Sequence, residues 1–312
     1  MDSSPLFNLH CSQRRVLELF AGIGGLACAW PEAEILAAVD INSLAAEVYR
    51  QNFPHQYLIQ EIESLTDAVF ANFQADFWWL SPPCQPFSRR GHANGRQRDI
   101  DDPRCGGLLR IIDAIGQCRP DSVGVENVVG FESSIAYQTL LGQLQRCGYF
   151  VRSVELCPSQ VGWPNRRPRF YLLASLKPLP GWQPLPQYSM ALKDLLDPSL
   201  TPEAEATREL MLSVEDATRY RGALDRIEDC DIDRVTACFA GSYGKTLLQA
   251  GSYLRCGAGY RRFSPNELAR LLGFPERFGL RGLNLRKAWK LLGNSLSLPI
   301  MRYILSHVPN CE

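Results

Sequence analysis

The sequence predicts an α/β fold: a parallel sheet with helices on both faces, joined to a smaller second domain. Three observations predict it. Apolar runs of strand length alternate with helical stretches through the first half of the chain. The first of these runs breaks into a glycine-rich turn that opens a helix. After Lys177 the composition changes, and Pro178, Pro180, Pro184, Pro186, Pro198 and Pro202 mark a connection leaving the sheet.

The elements follow in order. Val16 to Phe20 reads as the first strand, Ala21 to Gly25 as the turn, and Leu26 to Trp30 as the helix it opens. A second strand, Ile35 to Val39, ends at Asp40, and a helix covers Ser43 to Asn52. Phe77 to Leu80 is a strand stopped by Pro82 and Pro83, since proline has no N–H for a ladder. Leu108 to Cys118 is helical, and Ser122 to Val125 and Phe170 to Ala174 are further strands. Beyond the proline-rich connection an acidic stretch reads as solvated helical surface. Ser264-Pro265-Asn266-Glu267 then combines a Ser cap, a Pro at the first helical position and a Glu three residues on, so a helix starts there and ends at Gly273.

Composition sets limits on function. With 312 residues, 46% hydrophobic and 21% charged, the chain is a folded protein rather than a disordered or fibrous one. No apolar run reaches the roughly 18 residues of a membrane span, and Met1 to Arg15 lacks a secretory pattern, so the expectation is a cytoplasmic protein, with a nuclear fraction in a eukaryote, that uses no membrane. The 11 cysteines include no C-x-x-C pair and no zinc spacing, so no metal is expected and most are small hydrophobes. Formal net charge is zero, which taken as an average argues against a nucleic-acid partner. The average conceals a segregation. Asp197 to Asp233 holds 11 acids and four bases and so carries −7, which leaves +7 on the remainder. Basic clusters stand at Arg89-Arg90, Arg96 and Arg98, Arg166-Arg167 with Arg169, and Arg261-Arg262.

Five segments bear chemistry. In the turn Phe20-Ala21-Gly22-Ile23-Gly24-Gly25, glycines let a ligand approach the backbone, and Asp40, about 20 residues on, is placed to accept hydrogen bonds from ribose hydroxyls. The pair suggests a nucleoside-containing cofactor. The spacing is not G-x-G-x-x-G, so a dinucleotide, and with it a nicotinamide dehydrogenase, is disfavoured. A glycine turn that serves packing alone is the competing reading. Ser81 to Ser88 begins at a strand end and holds Cys84 among three prolines, a candidate thiolate nucleophile that could equally be an inert buried thiol. Glu126 ends an apolar strand, where burial would keep the acid protonated, and could instead serve as a cap. Arg167 and Arg169, two apart, are expected on one face of the strand they open. Finally, Gly293-Asn294-Ser295 interrupts a helical stretch with small residues that packing does not explain.

Taken in order, these segments resemble the cytosine-5 methyltransferases. Phe20 to Gly25 is similar to that family's S-adenosylmethionine loop, Pro83-Cys84-Gln85 to its nucleophile motif, Glu126-Asn127-Val128 to its acid motif, Gln160 to Arg169 to its arginine motif, and Gly293-Asn294-Ser295 to its C-terminal motif. Cys238-Phe239-Ala240-Gly241-Ser242-Tyr243-Gly244 further resembles the signature of the transfer-RNA branch, with Ala240 where that signature has Thr. The resemblance implies a Rossmann-like S-adenosylmethionine-dependent methyltransferase sheet with helices on both faces over residues 1–178 and 287–312, and a target-recognition domain over 179–286. It implies S-adenosylmethionine as cofactor, S-adenosylhomocysteine as its product, and methylation of cytosine C5 in the anticodon loop of a tRNA, at position 38 of tRNA-Asp or a related tRNA.

Residue by residue, the resemblance implies Cys84 as nucleophile, Glu126 as the acid at the base, and Arg167 and Arg169 at the base oxygen or its phosphate. For the cofactor it implies Phe20, Ala21, Gly22, Gly24, Asp40, Asn42, Ile62, Glu63, Pro82, Asn294 and Ser295. For the substrate it implies Gln85, Ser88, Arg89, Asn127, Cys238, Phe239 and Tyr243. The partner expected is tRNA, bound by a monomer, with weak DNA binding besides. Two alternatives stand beside this reading: a DNA cytosine-5 methyltransferase of the same fold, which the short variable region disfavours, and a binding module without catalysis, which the retention of Cys84, Glu126 and both arginines disfavours.

Overall fold

The structure, a computed structural model, describes residues 14–87, 99–228 and 234–310. Its described residues divide into two compact units, within spans 1–156, 168–184 and 301–312 for the first and 157–167 and 185–300 for the second.

The first unit is built on a seven-stranded sheet. Its strands are β1 (Arg15–Leu19), β2 (Glu34–Asp40), β3 (Tyr57–Ile59), β4 (Phe77–Leu80), β5 (Ser122–Val128), β6 (Phe150–Leu156) and β7 (Arg169–Ser175), in the spatial order β3-β2-β1-β4-β5-β7-β6. β1 to β5 run parallel, while β7 lies antiparallel to both β5 and β6. The helices of this unit are α1 (Gly25–Ala29), α2 (Ser43–Asn52), α3 (Asp67–Phe73), α4 (Gly106–Cys118) and α5 (Ile135–Arg146). β4 is buried at every position and β5 at all but its last, the run expected of central parallel strands covered on two faces. Leu17, Leu19, Trp78, Leu80, Val123 and Val125 meet Leu108, Ile111, Ile112 and Ile115 of α4 in the core. Local signals start the helices: Asn42 accepts from the N–H groups of Leu44 and Ala45, and Ser134 from that of Tyr137.

The second unit holds α6 (Glu205–Arg208), α7 (Val214–Arg219), a three-stranded sheet of β8 (Asp225–Ile227), β9 (Ser252–Cys256) and β10 (Gly259–Arg262), then α8 (Pro265–Leu272) and α9 (Leu285–Gly293). The last helix, α10 (Leu298–Leu305), begins in this unit and ends in the first. The capping box at Ser264 and Glu267 forms as expected, and Gly273 ends α8 in the left-handed conformation at φ +87°. Glu267 does more than cap. Its buried carboxylate also accepts two bonds of 2.7 Å from the Arg261 guanidinium and one of 3.0 Å from the Asp197 N–H. Phe239, Tyr243, Tyr253, Phe263 and Trp289 form the aromatic centre of the unit.

The units divide the chain at places other than residues 178 and 286. Residues 157–167 leave the sheet after β6, belong to the second unit, and return at Pro168 to start β7. Residues 287–300 also belong to the second unit, because the outer turns of α9 bury Trp289 against Tyr243 and donate its Nε1 to the Phe263 carbonyl at 2.9 Å. Among the described residues no helix is long and apolar enough to cross a membrane, and no cluster of three or more His, Cys, Asp or Glu has metal-holding geometry.

Candidate active site

The strand order reverses between β1 and β4, and open α/β sheets bind ligands at the carboxyl ends of the strands at such a point. Parallel pairing sets Leu19 beside both Val39 and Leu80, and Leu80 beside Val125. The residues just beyond these ends therefore share one rim of the sheet: the glycine turn after β1, Asp40 at the end of β2, the Cys84 loop after β4, and Glu126 in β5.

The glycine turn reverses direction through Phe20, at φ +57°, and two glycines. Gly24, at φ +87°, is there for packing: a Cβ would lie 2.5 Å from the Phe53 ring and 2.9 Å from that of Tyr49. Gly22 differs, since a Cβ there would meet nothing within 4 Å, so this part of the turn fronts open space. Its N–H donates to Asp40 Oδ2 at 2.9 Å, its carbonyl accepts from the Tyr57 hydroxyl at 3.1 Å, and Asp40 Oδ1 accepts from the Asn42 N–H at 2.8 Å. Burial raises the Asp40 pKa, against the pull of those backbone N–H groups. Beside Asp40, Ile41 is 62% exposed. Sequence reasoning missed Ile41, whose signal is an apolar residue directly after the acid that closes a buried strand.

Beneath the turn lies Glu18, which is 1% exposed. Burial pushes its pKa up to about 8, although the Leu26 N–H and the Tyr49 hydroxyl bond to it and pull the other way. Tyr49 Oη is 3.2 Å from both Glu18 Oε2 and His55 Nδ1, and burial lowers the His55 pKa. The Tyr49 hydroxyl donates to Glu18 and so stands between that buried carboxyl and the His55 ring.

The Cys84 loop is tied at both ends. Ser81 N–H donates to the Leu19 carbonyl at 3.3 Å, Asn127 Nδ2 donates to the Pro82 carbonyl at 3.2 Å, and a turn joins the Phe87 N–H to the Cys84 carbonyl at 3.1 Å. Cys84 itself is half-buried, Gln85 exposed and Pro82 buried, while Ser88 and Arg89 lie outside the described residues. Two strands hold Glu126. In the antiparallel pair of β5 and β7, Arg169 stands opposite Val128, one step along the same face from Glu126, and its Nε lies 3.1 Å from Glu126 Oε1. Both side chains are nearly enclosed, at 15% and 11% exposure, so the guanidinium sets the direction in which the carboxyl points.

Arg167 does not share a strand face with Arg169. Pro168 separates them, β7 starts only at Arg169, and Arg167 lies in the second unit. Its guanidinium is 3% exposed and donates to the carbonyls of Phe239 at 3.2 Å, Gly293 at 3.2 Å and Ser295 at 2.5 Å. So enclosed, it clamps backbone segments and has no edge for a base or a phosphate. Three substrate residues expected from the sequence are likewise internal. Asn127 is 1% exposed and binds the Cys84 loop; Phe239, at 2%, packs edge-on against Tyr243 and Phe263; and the Tyr243 hydroxyl, at 0%, donates to the Ser252 carbonyl and accepts from the Phe263 N–H. Cys238 is half-buried, 3.8 Å from the Arg167 guanidinium.

Packing also explains Gly293. A Cβ there would sit 2.5 Å from the Ala240 carbonyl carbon, and one on Gly241 would sit 2.6 Å from Asn294 Oδ1, so the two glycines let the segments touch. Asn294 is exposed at the end of α9, and the buried Ser295 hydroxyl has no hydrogen-bond partner among the described residues. Among the other expected cofactor residues, Ala21 is held by its N–H on the Val39 carbonyl at 3.1 Å, Asn42 has its Oδ1 occupied as the cap of α2, and Ile62 is buried. The Glu63 carboxyl lies over the first turn of α4, where a Cβ on Gly106 would fall 2.3 Å from it.

A seven-stranded sheet of this order, with β7 reversed and a glycine turn and acid at the switch point, is that of a Rossmann-like methyltransferase. The residues of this rim suit S-adenosylmethionine: open space over Gly22, a carboxylate with lone pairs to spare in Asp40, and an apolar surface in Ile41. The sequence pattern of C-5 cytosine-specific DNA methylases matches residues 14–310, and the chain belongs to that family. It is 31% identical to the tRNA (cytosine(38)-C(5))-methyltransferase of Schizosaccharomyces pombe over 96% of this chain and 97% of that one. It is 30% identical to the protein of the same name from Spodoptera frugiperda over 93% and 98%. The crystal structure of the S. pombe Dnmt2 methyltransferase superimposes with a TM-score of 0.81 at 28% identity, covering 95% of this chain and 98% of that one.

Proposed function

We propose that the protein methylates C5 of a cytosine in tRNA, at position 38 of the anticodon loop of tRNA-Asp or a related tRNA, through a transient bond from Cys84 to C6. The observation that carries the reading is the end-to-end match to relatives named for that reaction, joined to a cysteine and a carboxyl group at adjacent ends of one sheet.

Cytosine C5 is a weak nucleophile, so an enzyme thiolate must first add to C6. Cys84 supplies the thiolate. As its Sγ–C6 bond forms and the 5,6 double bond opens, the electron pair moves toward C5, and a proton held by Glu126 at N3 stabilises the ring. The other Glu126 oxygen accepts from the exocyclic amine, and Arg169 keeps the carboxyl in that orientation. The glycine turn, Asp40 and Ile41 would hold S-adenosylmethionine, which would supply the electrophilic methyl group that C5 takes, with S-adenosylhomocysteine as the product. Loss of the C5 proton to a base then expels Sγ and restores the double bond. A base within a stack is out of reach of this chemistry, and an anticodon loop supplies one at little unstacking cost. In this reading Arg167, Asn127, Phe239 and Tyr243 hold the machinery in place without touching substrate. The chain acts as a monomer in the cytoplasm, with DNA a weak ligand.

The test is transfer of labelled methyl from S-adenosylmethionine to total tRNA and, in parallel, to duplex DNA. The expected result is label recovered as 5-methylcytidine in tRNA, abolished in Cys84→Ala while S-adenosylhomocysteine still binds. Label in DNA alone would overturn the substrate, and label in neither would revive the reading as a binding module.

A further inference from the structure

The neutral net charge of this chain hides a segregation of charge along the sequence of the second unit. The acids gather in residues 197–233, whereas no Asp or Glu occurs from Arg277 through Cys311. Within that acid-free stretch Arg277, Arg281, Arg286, Lys287 and Lys290 are all exposed. The pattern of α9 produces this: Ala288, Trp289, Leu291 and Leu292 face inward, which sends Arg286, Lys287 and Lys290 outward. Gly244 lets a neighbouring turn lie directly on this helix, since a Cβ there would fall 2.8 Å from Trp289 and 3.2 Å from the Arg286 Cα, and the turn brings exposed Lys245 alongside. The nearest acid in sequence, Glu276, is bound by the Arg270 guanidinium at 2.5 and 3.1 Å.

We infer that the strip formed by Lys245, Arg286, Lys287 and Lys290, continued by Arg277 and Arg281, binds the phosphate backbone of the RNA substrate outside the loop that carries the target base. Fixed, exposed cations along a helix, with Arg286 and Lys290 about 6 Å apart along the axis, match a ladder of phosphates rather than one small anion. A lipid surface fits less well, because Leu248 near Lys245 is the one large hydrophobic side chain exposed among the described residues 245–290, and a single leucine is a weak anchor. The inference rests on the reading of the substrate as RNA and adds to it which surface of the second unit holds the stem.

The test compares the wild-type chain with Arg286→Gln/Lys287→Gln/Lys290→Gln, using glutamine to preserve the helix. The control is Arg208→Gln/Arg219→Gln/Arg221→Gln, three exposed arginines of the acidic segment. Affinity for unmodified tRNA is measured from about 50 to 200 mM salt, with S-adenosylhomocysteine binding as the check that each variant is folded. The expected result for the strip variant is at least a tenfold loss of tRNA affinity at the lower salt. Its slope of log affinity against log salt should fall by about two to three, as three lost phosphate contacts require. The control should stay within twofold of wild type. An unchanged slope in the folded strip variant overturns the inference, as does a loss confined to duplex DNA or to anionic vesicles with tRNA binding intact. Binding is read without turnover, so a wild-type protein that binds tRNA through the strip but transfers no methyl to it counts against the proposed function alone.

Discussion

Glu18 supports the cofactor turn from below, and its burial makes stability depend on pH in a direction opposite to that of an ordinary carboxylate. Its folded pKa, about 8 against an ordinary 4.5, means that the native state holds a proton that the unfolded chain releases. Stability from the neutral acid is therefore fully present below pH 4.5 and is lost as pH rises through about 8. The loss amounts to about 1.4 kcal/mol per pH unit across that window, or about 5 kcal/mol in all. Glu18→Gln keeps a neutral side chain of the same shape whose amide oxygen can still accept from Leu26, and it has no proton to lose. Wild type and variant should match in stability near pH 5 and diverge steadily, with the variant the more stable by several kcal/mol at pH 9. Urea denaturation followed by tryptophan fluorescence at half-unit intervals of pH measures the divergence. Asp40 and His55 titrate in both proteins and largely cancel in the difference. Parallel stability curves across pH 5 to 9 would show that burial does not hold a proton on Glu18 in the native state.

Three further outcomes follow from the geometry. Asp40→Ala removes the acceptor of the Gly22 N–H and the carboxylate offered to the cofactor; calorimetry should show S-adenosylhomocysteine binding weakened about tenfold or more, as loss of a charged hydrogen bond of about 1.5–3 kcal/mol requires, and unchanged affinity would refute the assignment. Gly293→Ala places a Cβ 2.5 Å from backbone and should cost about 1–3 kcal/mol, while Gly142→Ala inside α5, with nothing within 4 Å, should gain about 0.4–1 kcal/mol. Denaturation midpoints that move in the same direction would contradict that contrast. Glu267→Gln leaves the buried Arg261 guanidinium without its counter-charge and should destabilise the second unit by about 3–5 kcal/mol, whereas a change below about 1 kcal/mol would mean that the ion pair is dispensable.

Much of the first unit could be read along the chain. β4 and α2 lie where periodicity and stop signals put them, and β1, β2, α4, β5 and β7 differ only at their ends. Two edge strands escaped. β3 has three residues, and β6 is mostly exposed, so neither carries the apolar run of a central strand. α3 and α5 escaped because their apolar positions are few: Phe70 alone is buried in α3, and Ala136, Leu140 and Leu144 in α5. The Gly293-Asn294-Ser295 turn looked free of packing constraints because its neighbours Ala240 and Gly241 are some fifty residues away in sequence.

By itself, then, the sequence determined the sheet, the glycine turn with its acid, and the loop and strand end that carry Cys84 and Glu126, because each of these is local: a period, a breaker residue, or a group placed at the end of an apolar run. The tertiary structure alone decided which polar and aromatic residues are enclosed by other segments and which stand open at the rim of the sheet. Arg167 and Arg169 are two apart in sequence, yet one closes on carbonyls 72, 126 and 128 residues away and the other orients Glu126 across a strand pair. Phe239 and Tyr243 resemble a recognition signature but pack in the core, while Ile41, apolar and unremarked in the sequence, stands exposed beside Asp40. The physical reason is that a side chain's partners and its access to solvent are set by elements packed on it from elsewhere in the chain, and spacing along the sequence does not record them.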